Sequence, residues 1–410
     1  MPAHTLIIGA GIAGLIAAHD LAKAGLRVTV LESAPHAGGR AQTKREAGFA
    51  LNQGPHALYL GGAFRAALDR IGVVYAGEPR DIERHALHEG HLYTLPFGAA
   101  ALAKTGLLDV ADKISFAQIM SAAPKAHPQS GSFADWLDAQ KLRPRVRAVI
   151  SAIARLSSYA NAESEVPARA MLDQLRLSLA GTLYVNGGWQ TLVDGLLEKT
   201  VSAGAEIRTS AAAEAVTSSG GGWSVSLANG EKLTADGLIL ACPPDVAAHL
   251  TGQPDRFMGL RACRANTLDL ALSRVPSGAH DFVLGVDQPL YASVHSATAQ
   301  LAPPGGMLVH FARYLAPDEA PAPNAVAELE TLADITVPGW RDLVVRRQRL
   351  IAMPVVHALP TLNAPRPGIG IADMPGVYLA GDWVGEDGML SDTSAASAAS
   401  AARGLISHLA

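Results

Sequence analysis

The sequence predicts an α/β fold organised around a parallel sheet, and three observations carry that expectation. Residues 5–40 run from a short apolar stretch through a glycine-rich turn into an Ala- and Leu-rich helix and then a second apolar stretch. Residues 376–405 repeat the order of strand, glycine turn and helix at the far end of the chain. Between them, one stretch has helical periodicity and another has strand-like runs broken by Pro and Gly. Strands alternating with helices read as crossover units of a parallel sheet, whereas the intervening stretches read as a separate α+β part.

The first element is Thr5-Leu6-Ile7-Ile8, apolar enough to be a buried strand, which breaks at Gly9-Ala10-Gly11-Ile12-Ala13-Gly14 into the helix. This is the order a dinucleotide site requires. Gly9 allows the tight turn, Gly11 lets backbone N–H groups approach a pyrophosphate, and Gly14 lets helix and strand pack closely with the phosphates at the helix N-terminus. The second strand, Arg27-Val28-Thr29-Val30-Leu31, ends at Glu32. A carboxylate there accepts hydrogen bonds from the hydroxyl pair of an adenosine ribose and repels a 2′-phosphate. Strand, turn, helix, strand and acid in register define a Rossmann-type unit, which an isolated glycine motif does not.

Ser33-Ala34-Pro35-His36-Ala37-Gly38-Gly39-Arg40 follows the acid, placing Gly39 and Arg40 where a further anion contact completes an extended diphosphate cradle. This spacing resembles the FAD-binding N-terminus of the flavin amine oxidase, protoporphyrinogen oxidase and phytoene desaturase superfamily. Near the other end, Gly376-Val377-Tyr378-Leu379-Ala380-Gly381-Asp382 is a strand running into Gly-Asp, followed by a glycine loop and a small-residue helix from Ser391 to Leu405. It resembles the superfamily's second FAD motif. The resemblance implies that Asp382 contacts the ribityl and pyrophosphate region. It also implies that N–H groups near Leu390 and Ser391, with the helix dipole behind them, face the pyrimidine edge of the flavin and stabilise its negative charge when reduced.

Three weaker matches fall between these ends in the superfamily's order. Asn52-Gln53-Gly54-Pro55-His56 resembles the loop that passes close to the isoalloxazine, Asn186-Gly187-Gly188-Trp189 resembles the segment before a helix, and Glu214-Ala215-Val216 resembles the strand lying against the adenine. On this basis residues 1–70, 185–248 and 352–410 are expected to form a discontinuous FAD-binding domain of the two-dinucleotide-binding-domain flavoprotein type. Residues 71–184 and 249–351 form the substrate-binding or cap domain. The former of these stretches reads largely helical, with periodic apolar positions in Phe133-Ala134-Asp135-Trp136-Leu137 and from Val146 to Leu156. The latter carries strand-like runs such as Leu268–Leu272 and Met307–Phe311. A sheet floor under a helical cap is expected, with the Pro-rich run from Ala316 to Pro323 an exposed connection.

Composition fits a large globular enzyme: 410 residues, 49% hydrophobic and 17% charged. A net charge of -4 and 5% aromatic residues offer neither the electrostatics nor the stacking platform for nucleic acid. The first strand begins within five residues of Met1 and no apolar run spans a bilayer, so a cytoplasmic location is expected, with peripheral membrane contact through the mixed apolar segment from Leu95 to Met120 as the alternative to a plain cap helix pair. The two cysteines, Cys242 and Cys263, have no metal or thiol context, and Cys242 reads as a buried small apolar residue. No metal site is expected, since the spacings of His56, His295, His310 and His357 match no ligand signature. His56, beside the flavin-facing loop, is the candidate to line the site.

The resemblance implies an FAD-dependent oxidoreductase in which the cofactor does the hydride chemistry and the protein aims a C–H bond at it. Amine oxidases of the superfamily commonly carry a lysine near the flavin and an aromatic residue before the C-terminal helix, whereas Arg261 to Val309 contains no lysine and Met389-Leu390 occupies the latter position. The segments Asp287 to Ser296 and Leu301 to Gly306 resemble bacterial phytoene-dehydrogenase-like oxidoreductases. The expected activity is therefore hydride removal from a lipophilic or small organic, apolar substrate, with oxygen or a quinone-like acceptor. The alternatives are an amine or amino acid oxidase and a non-catalytic lipid-binding escort protein. Gly385 to Thr393 contains no Cys or His for a flavin thioether, so FAD is expected to be non-covalent.

Overall fold

The computed structural model describes residues 2–78, 82–320, 322 and 324–410. Its first layer is a five-stranded, all-parallel sheet in the order Val377–Leu379, Gly237–Leu240, His4–Ile8, Arg27–Leu31, Glu206–Arg208. The central strand His4–Ile8 has Arg27–Leu31 on one side and the sequence-distant Gly237–Leu240 on the other, so the chain leaves it in one direction and returns from the other. That is the topological switch point at which open α/β sheets leave a crevice beyond the strands' carboxyl ends. The glycine turn after Ile8 opens into this crevice.

Two helices cover one face: Ile12–Lys23 and Leu390–Leu409 pack together. Their contact is built from Ala13, Ala17, Ala395, Ala398 and Ala402, and the small side chains let the two backbones come close. A three-stranded antiparallel meander, Ala213–Ser219, Gly222–Leu227 and Lys232–Ala235, fills the connection from the edge strand Glu206–Arg208 back to Gly237–Leu240. Gly220 and Gly221, both at positive φ, make its first turn.

The second layer is a mixed seven-stranded sheet in the order Val344–Val356, Cys263–Leu272, Met307–Tyr314, Leu290–Val294, Phe282–Gly285, Arg84–His88, His91–Thr94. One face packs under the helices Val110–Ala122, Phe133–Ala139, Pro144–Ser158 and Ala168–Leu179 through residues such as Tyr291, Ala312 and Tyr314. The other packs through Leu268, Leu270, Val309 and Phe311 on the helix Ala327–Thr336. Local signals set these helices: Ser132 and Asp135 form a reciprocal capping box, and Pro144 stands in the first turn of its helix.

One stretch departs from expectation. Residues 71–184 are not helical throughout, because Arg84–His88 and His91–Thr94 form a hairpin whose first strand pairs in parallel with Phe282–Gly285. That partner lies far along the chain, beyond the reach of local periodicity. Within the Pro-rich run from Ala316, Pro321 and Pro323 lie outside the described residues. Among the described residues no helix is long and apolar enough to cross a membrane, and no cluster of side chains suits a metal ion.

Candidate active site

The carboxyl edge of the parallel sheet forms a cleft of about 510 Å3 walled by Gly9, Gly11, Glu32, Gly39, Arg40, Gly381 and Asp382. Each glycine of the first turn has a distinct reason. Gly9 holds φ of 108°, and a Cβ there would stand 2.4 Å from the carbonyl oxygen of Ala241. A Cβ on Gly14 would stand 1.9 Å from the carbonyl oxygen of Gly9. A Cβ on Gly11 meets nothing within 4 Å, because that position opens on the cleft. The helix Ile12–Lys23 has no side-chain cap and no acid in its first turn, so its leading N–H groups remain available to an anion.

Glu32 is fixed by backbone amides. The N–H of Ala10 donates to its Oε2 at 2.8 Å and the N–H of Ala34 to its Oε1 at 2.8 Å. The carboxylate thereby ties the glycine turn to the second strand, and a carboxylate still has acceptor capacity to spare for a ribose diol. Arg40 spans the cleft: its Nη1 donates to the carbonyl of Val355 at 2.6 Å and its Nη2 to Asp382 Oδ2 at 2.5 Å. His357 completes the group, with its N–H donating to Asp382 Oδ2 at 3.1 Å and its Nδ1 lying 3.0 Å from Oδ1. Burial pushes the Asp382 carboxyl upward, but Arg40 and His357 outweigh it and hold the group well below the usual carboxylate range. Asp382 is therefore an anion locked in place by its own cation.

The cleft continues past Ile12, Arg40, Ala41, Asp382 and Ser394 into a smaller space of about 90 Å3, also walled by Pro55, His56, Trp189, Leu390 and Ser391. Here the two distant sequence motifs and the Asn52–His56 loop meet. His56 Nδ1 donates to the carbonyl of Gly54 at 2.9 Å, and its ring packs on Trp189 with centroids 4.5 Å apart. Burial lowers the pKa of His56 to about 4, with Arg40 and His310 adding to the effect against the bond to Gly54, so the ring is neutral at pH 7. The indole Nε1 of Trp189 is buried with no partner among the described residues.

Beyond Ala57, Tyr59 and Tyr159 the space opens into a third cavity of about 270 Å3. Its wall is aromatic and aliphatic, with Tyr184, Tyr291, Phe97, Phe282, Ile153 and Leu156, and its polar atoms are mainly hydroxyls, including those of Ser157, Ser293 and Thr298. Burial raises the phenols of Tyr59, Tyr159 and Tyr291 well above their ordinary value, so they are neutral hydrogen-bonding groups.

Of the residues singled out from the sequence, Gly9, Gly11, Glu32, Gly39, Arg40, Gly381 and Asp382 wall the cleft, and Pro55, His56, Leu390 and Ser391 wall the space beyond it. Gly14 lies behind the turn. Gly54 presents its carbonyl to His56 and packs against Met353. The Val216 side chain is buried in the core beside the meander, and Ala211 and Ala213 stand on the cleft wall instead, because a register shift between Ala213 and Ala215 re-aims the strand. Cys242 is not fully buried: it lines the cleft, and its carbonyl accepts from Trp383 Nε1 at 3.0 Å. Its position at the carboxyl end of a parallel strand explains this, since strand ends border the crevice. The four tyrosines of the third cavity had no sequence signal, being scattered singly along the chain. His357 gave none either, as its partner is Asp382.

A glycine turn at a helix N-terminus, a locked carboxylate and an adjoining apolar cavity are the parts of a nucleotide-type site beside an apolar space. The chain belongs to the flavin containing amine oxidoreductase family, whose profile matches residues 12–273, more than half of its length. Its family is one of flavin-dependent oxidoreductases. Among curated relatives, the phytoene desaturase of Neurospora crassa is 41% identical over 83 residues, 20% of this chain and 14% of that protein. The L-amino acid oxidase Cdc18 of Crotalus durissus cumanensis is 51% identical over 57 residues, 14% of this chain and 11% of that protein. These matches span only a small part of either relative. An oxidoreductase from Methanosarcina mazei shares the fold with a TM-score of 0.78 at 21% identity, over 97% of this chain and 99% of that one.

Proposed function

We propose that the chain binds FAD without a covalent link and removes a hydride from an uncharged, largely apolar substrate, creating a C=C or C=N bond. In this reading residues 1–70, 185–248 and 352–410 hold the cofactor, and 71–184 and 249–351 enclose the substrate. FAD is favoured over a mononucleotide by Glu32, whose carboxylate at the end of the second strand suits an adenosine ribose. Bound flavin supplies the two-electron acceptor. The N–H groups of the first turn of Ile12–Lys23 would hold the pyrophosphate, and those near Leu390 and Ser391 would face the far end of the ring. Asp382, kept ionised by Arg40 and His357, would accept from ribityl hydroxyls.

One observation carries the substrate class: the cavity beyond Tyr59 and Tyr159 has only Glu78 and Arg84 as charged residues in its wall among the described residues. An alkylammonium ion brought there would leave water for a surface of rings, aliphatic groups and hydroxyls, at a cost of several kcal/mol unless paired. The amino acid oxidase relative keeps amine oxidation as the second reading, and retention of Gly9, Gly11, Gly14, Glu32 and Asp382 speaks against a non-catalytic escort role.

The test begins with the colour of the purified protein. It should be yellow, and acid precipitation should release all the flavin as FAD. Anaerobic addition of uncharged cyclic or unsaturated compounds should bleach the flavin, with oxygen or a soluble quinone restoring it. Bleaching by primary amines or amino acids alone would establish the second reading. Rapid bleaching by NADPH would reverse the assigned direction, and colour retained in the acid pellet would rule out the non-covalent link.

A further inference from the structure

Three hydroxyl groups from two distant parts of the chain, those of Tyr184, Tyr291 and Ser293, meet on one wall of the cavity of about 270 Å3. Tyr291 and Ser293 stand two residues apart on the strand Leu290–Val294, so their side chains leave the same face of the seven-stranded sheet. That face is the one under the cap helices, where Tyr291 packs. Tyr184 follows the short strand Thr182–Leu183, which pairing with Leu58–Tyr59 holds beside the waist of the site. Its hydroxyl lies 3.1 Å from that of Tyr291, and the Ser293 hydroxyl is set against both phenols. None of the three walls the smaller space beside His56, so the group lies away from the waist made by Tyr59 and Tyr159.

What the group can bind follows from its protons. Burial pushes both phenols above their ordinary pKa, so each keeps its proton at neutral pH. A phenol ring also draws on the oxygen lone pairs, which makes the hydroxyl a better donor than acceptor. The two phenols hold two protons and share one bond, and Ser293 adds a third proton beside them. Three hydroxyls joined in a chain make two bonds, which leaves one O–H for the cavity. Other hydroxyls of the wall are spent on the backbone: Tyr59 donates to the carbonyl of Ser157 at 2.6 Å, Ser157 to that of Ile153 at 2.8 Å and Thr298 to that of His295 at 3.2 Å. Arg84 donates to the carbonyl of Ile82 at 3.3 Å, and its guanidinium stands 5.7 Å from the centroid of the Phe97 ring. The surplus O–H therefore faces a largely apolar space, where a donor left without an acceptor is costly.

We propose that Tyr184, Tyr291 and Ser293 are the specificity-determining residues of the cavity, and that they select a substrate whose apolar skeleton carries a carbonyl oxygen. A carbonyl has two lone pairs and no proton, so it satisfies the surplus O–H without demanding an acceptor in return. A hydrocarbon of the same shape would leave that O–H unpaired, and a site built to hydrogen-bond its ligand rejects the analogue that lacks the partner. A carboxylate would have to give up water for a wall of rings and aliphatic groups. Because the group lies away from Tyr59 and Tyr159, a carbonyl held there turns the rest of the skeleton towards the waist and the space beside His56. The assignment rests on the reading that this cavity takes the substrate.

The test uses the holoprotein and two probes of nearly equal shape, cyclohexanone and methylenecyclohexane, which differ in C=O against C=CH2. Isotope-edited infrared spectra of 13C-labelled cyclohexanone bound to the wild type should show the carbonyl stretch below its frequency in hexane, the mark of a donated hydrogen bond. In Y184F/Y291F/S293A the band should return to the hexane frequency. Isothermal titration should show cyclohexanone binding weakened about tenfold in this variant, the worth of one net hydrogen bond. Methylenecyclohexane should bind the variant at least as tightly as the wild type, which also shows that the cavity is intact. A wild-type band at the hexane frequency, or a variant that lowers the band and binds cyclohexanone as the wild type does, would overturn the assignment while leaving the cavity as the substrate site. Tighter binding of cyclohexanecarboxylate than of cyclohexanone, lost in R84M, would replace the carbonyl by a carboxylate and overturn it too. A wild type that binds neither neutral probe would overturn the cavity reading itself, and the assignment with it.

Discussion

Gly11 and Gly14 are three residues apart and lack a side chain for opposite reasons. A methyl group on Gly14 would be driven into the carbonyl of Gly9 at 1.9 Å, and no flexible neighbour can yield. Gly14→Ala should therefore lower the melting temperature or abolish soluble protein. Gly11→Ala meets nothing within 4 Å and should melt like the wild type while losing flavin. Comparing melting curves with flavin content separates the two, and a Gly11→Ala protein with full occupancy would place the pyrophosphate elsewhere. Glu32→Ala should weaken FAD binding by about 1.5–3 kcal/mol, the worth of charge-assisted ribose contacts. Part of that loss comes through the glycine turn, since Glu32 also holds the N–H groups of Ala10 and Ala34. Isothermal titration of the apoprotein measures it, and an unchanged dissociation constant would remove Glu32 from the adenosine site. These residues were legible in the sequence because their constraint is local, a turn followed by a helix. The role of His357 was not, because it comes from contact with Asp382, 25 residues further along the chain.

At the scale of elements, two neighbouring helices are coupled by one buried acid. Ala63–Ile71 starts at Gly62, which offers no side-chain cap, and Asp392 from the first turn of Leu390–Leu409 supplies it, accepting from the N–H of Phe64 at 2.8 Å. Burial pushes the Asp392 carboxyl up from 3.8 to about 6, against the Phe64 bond. The folded protein therefore holds this proton more tightly than the unfolded chain does. The group's contribution to stability is greatest below about pH 4 and is lost as pH rises through about 6. Asp392→Asn keeps an acceptor for Phe64 and has no charge to bury. It should melt above the wild type at pH 8, with the difference closing towards pH 4, whereas Asp392→Ala should lose about 1 kcal/mol of capping. A difference independent of pH would show that burial leaves the Asp392 carboxyl where it stands in the unfolded chain. The C-terminal helix was legible from its small residues, but the helix Ala63–Ile71 was not, and the cap joins positions 64 and 392 with no local signature.

Over the whole molecule, the cleft is where the two sheets meet: Arg40, from the turn beyond the parallel sheet, donates to carbonyls of Pro354 and Val355 on the long strand Val344–Val356 of the other. Flavin bound there should stabilise both parts together, by about 2.7 kcal/mol at a hundredfold excess over its dissociation constant. The expected outcome is a single calorimetric transition that moves up by several degrees when FAD is added to the apoprotein. Two transitions, only one of them moved by FAD, would mean that the sheets fold independently. The sequence by itself determined the class of fold, the glycine turn at the helix N-terminus and the flavin family. Each of these depends on short motifs whose geometry is set by neighbours in the chain: a strand, a positive-φ glycine, a helix N-terminus, an acid at the next strand's end. Only the tertiary structure decided that Arg84–His88 and His91–Thr94 form a hairpin rather than helix, that Asp382 is locked by Arg40 and His357, and that Tyr184, Tyr291 and Ser293 share one cavity wall. Strand pairing across tens to hundreds of residues makes those juxtapositions, and a pairing register leaves no trace in any one strand's sequence.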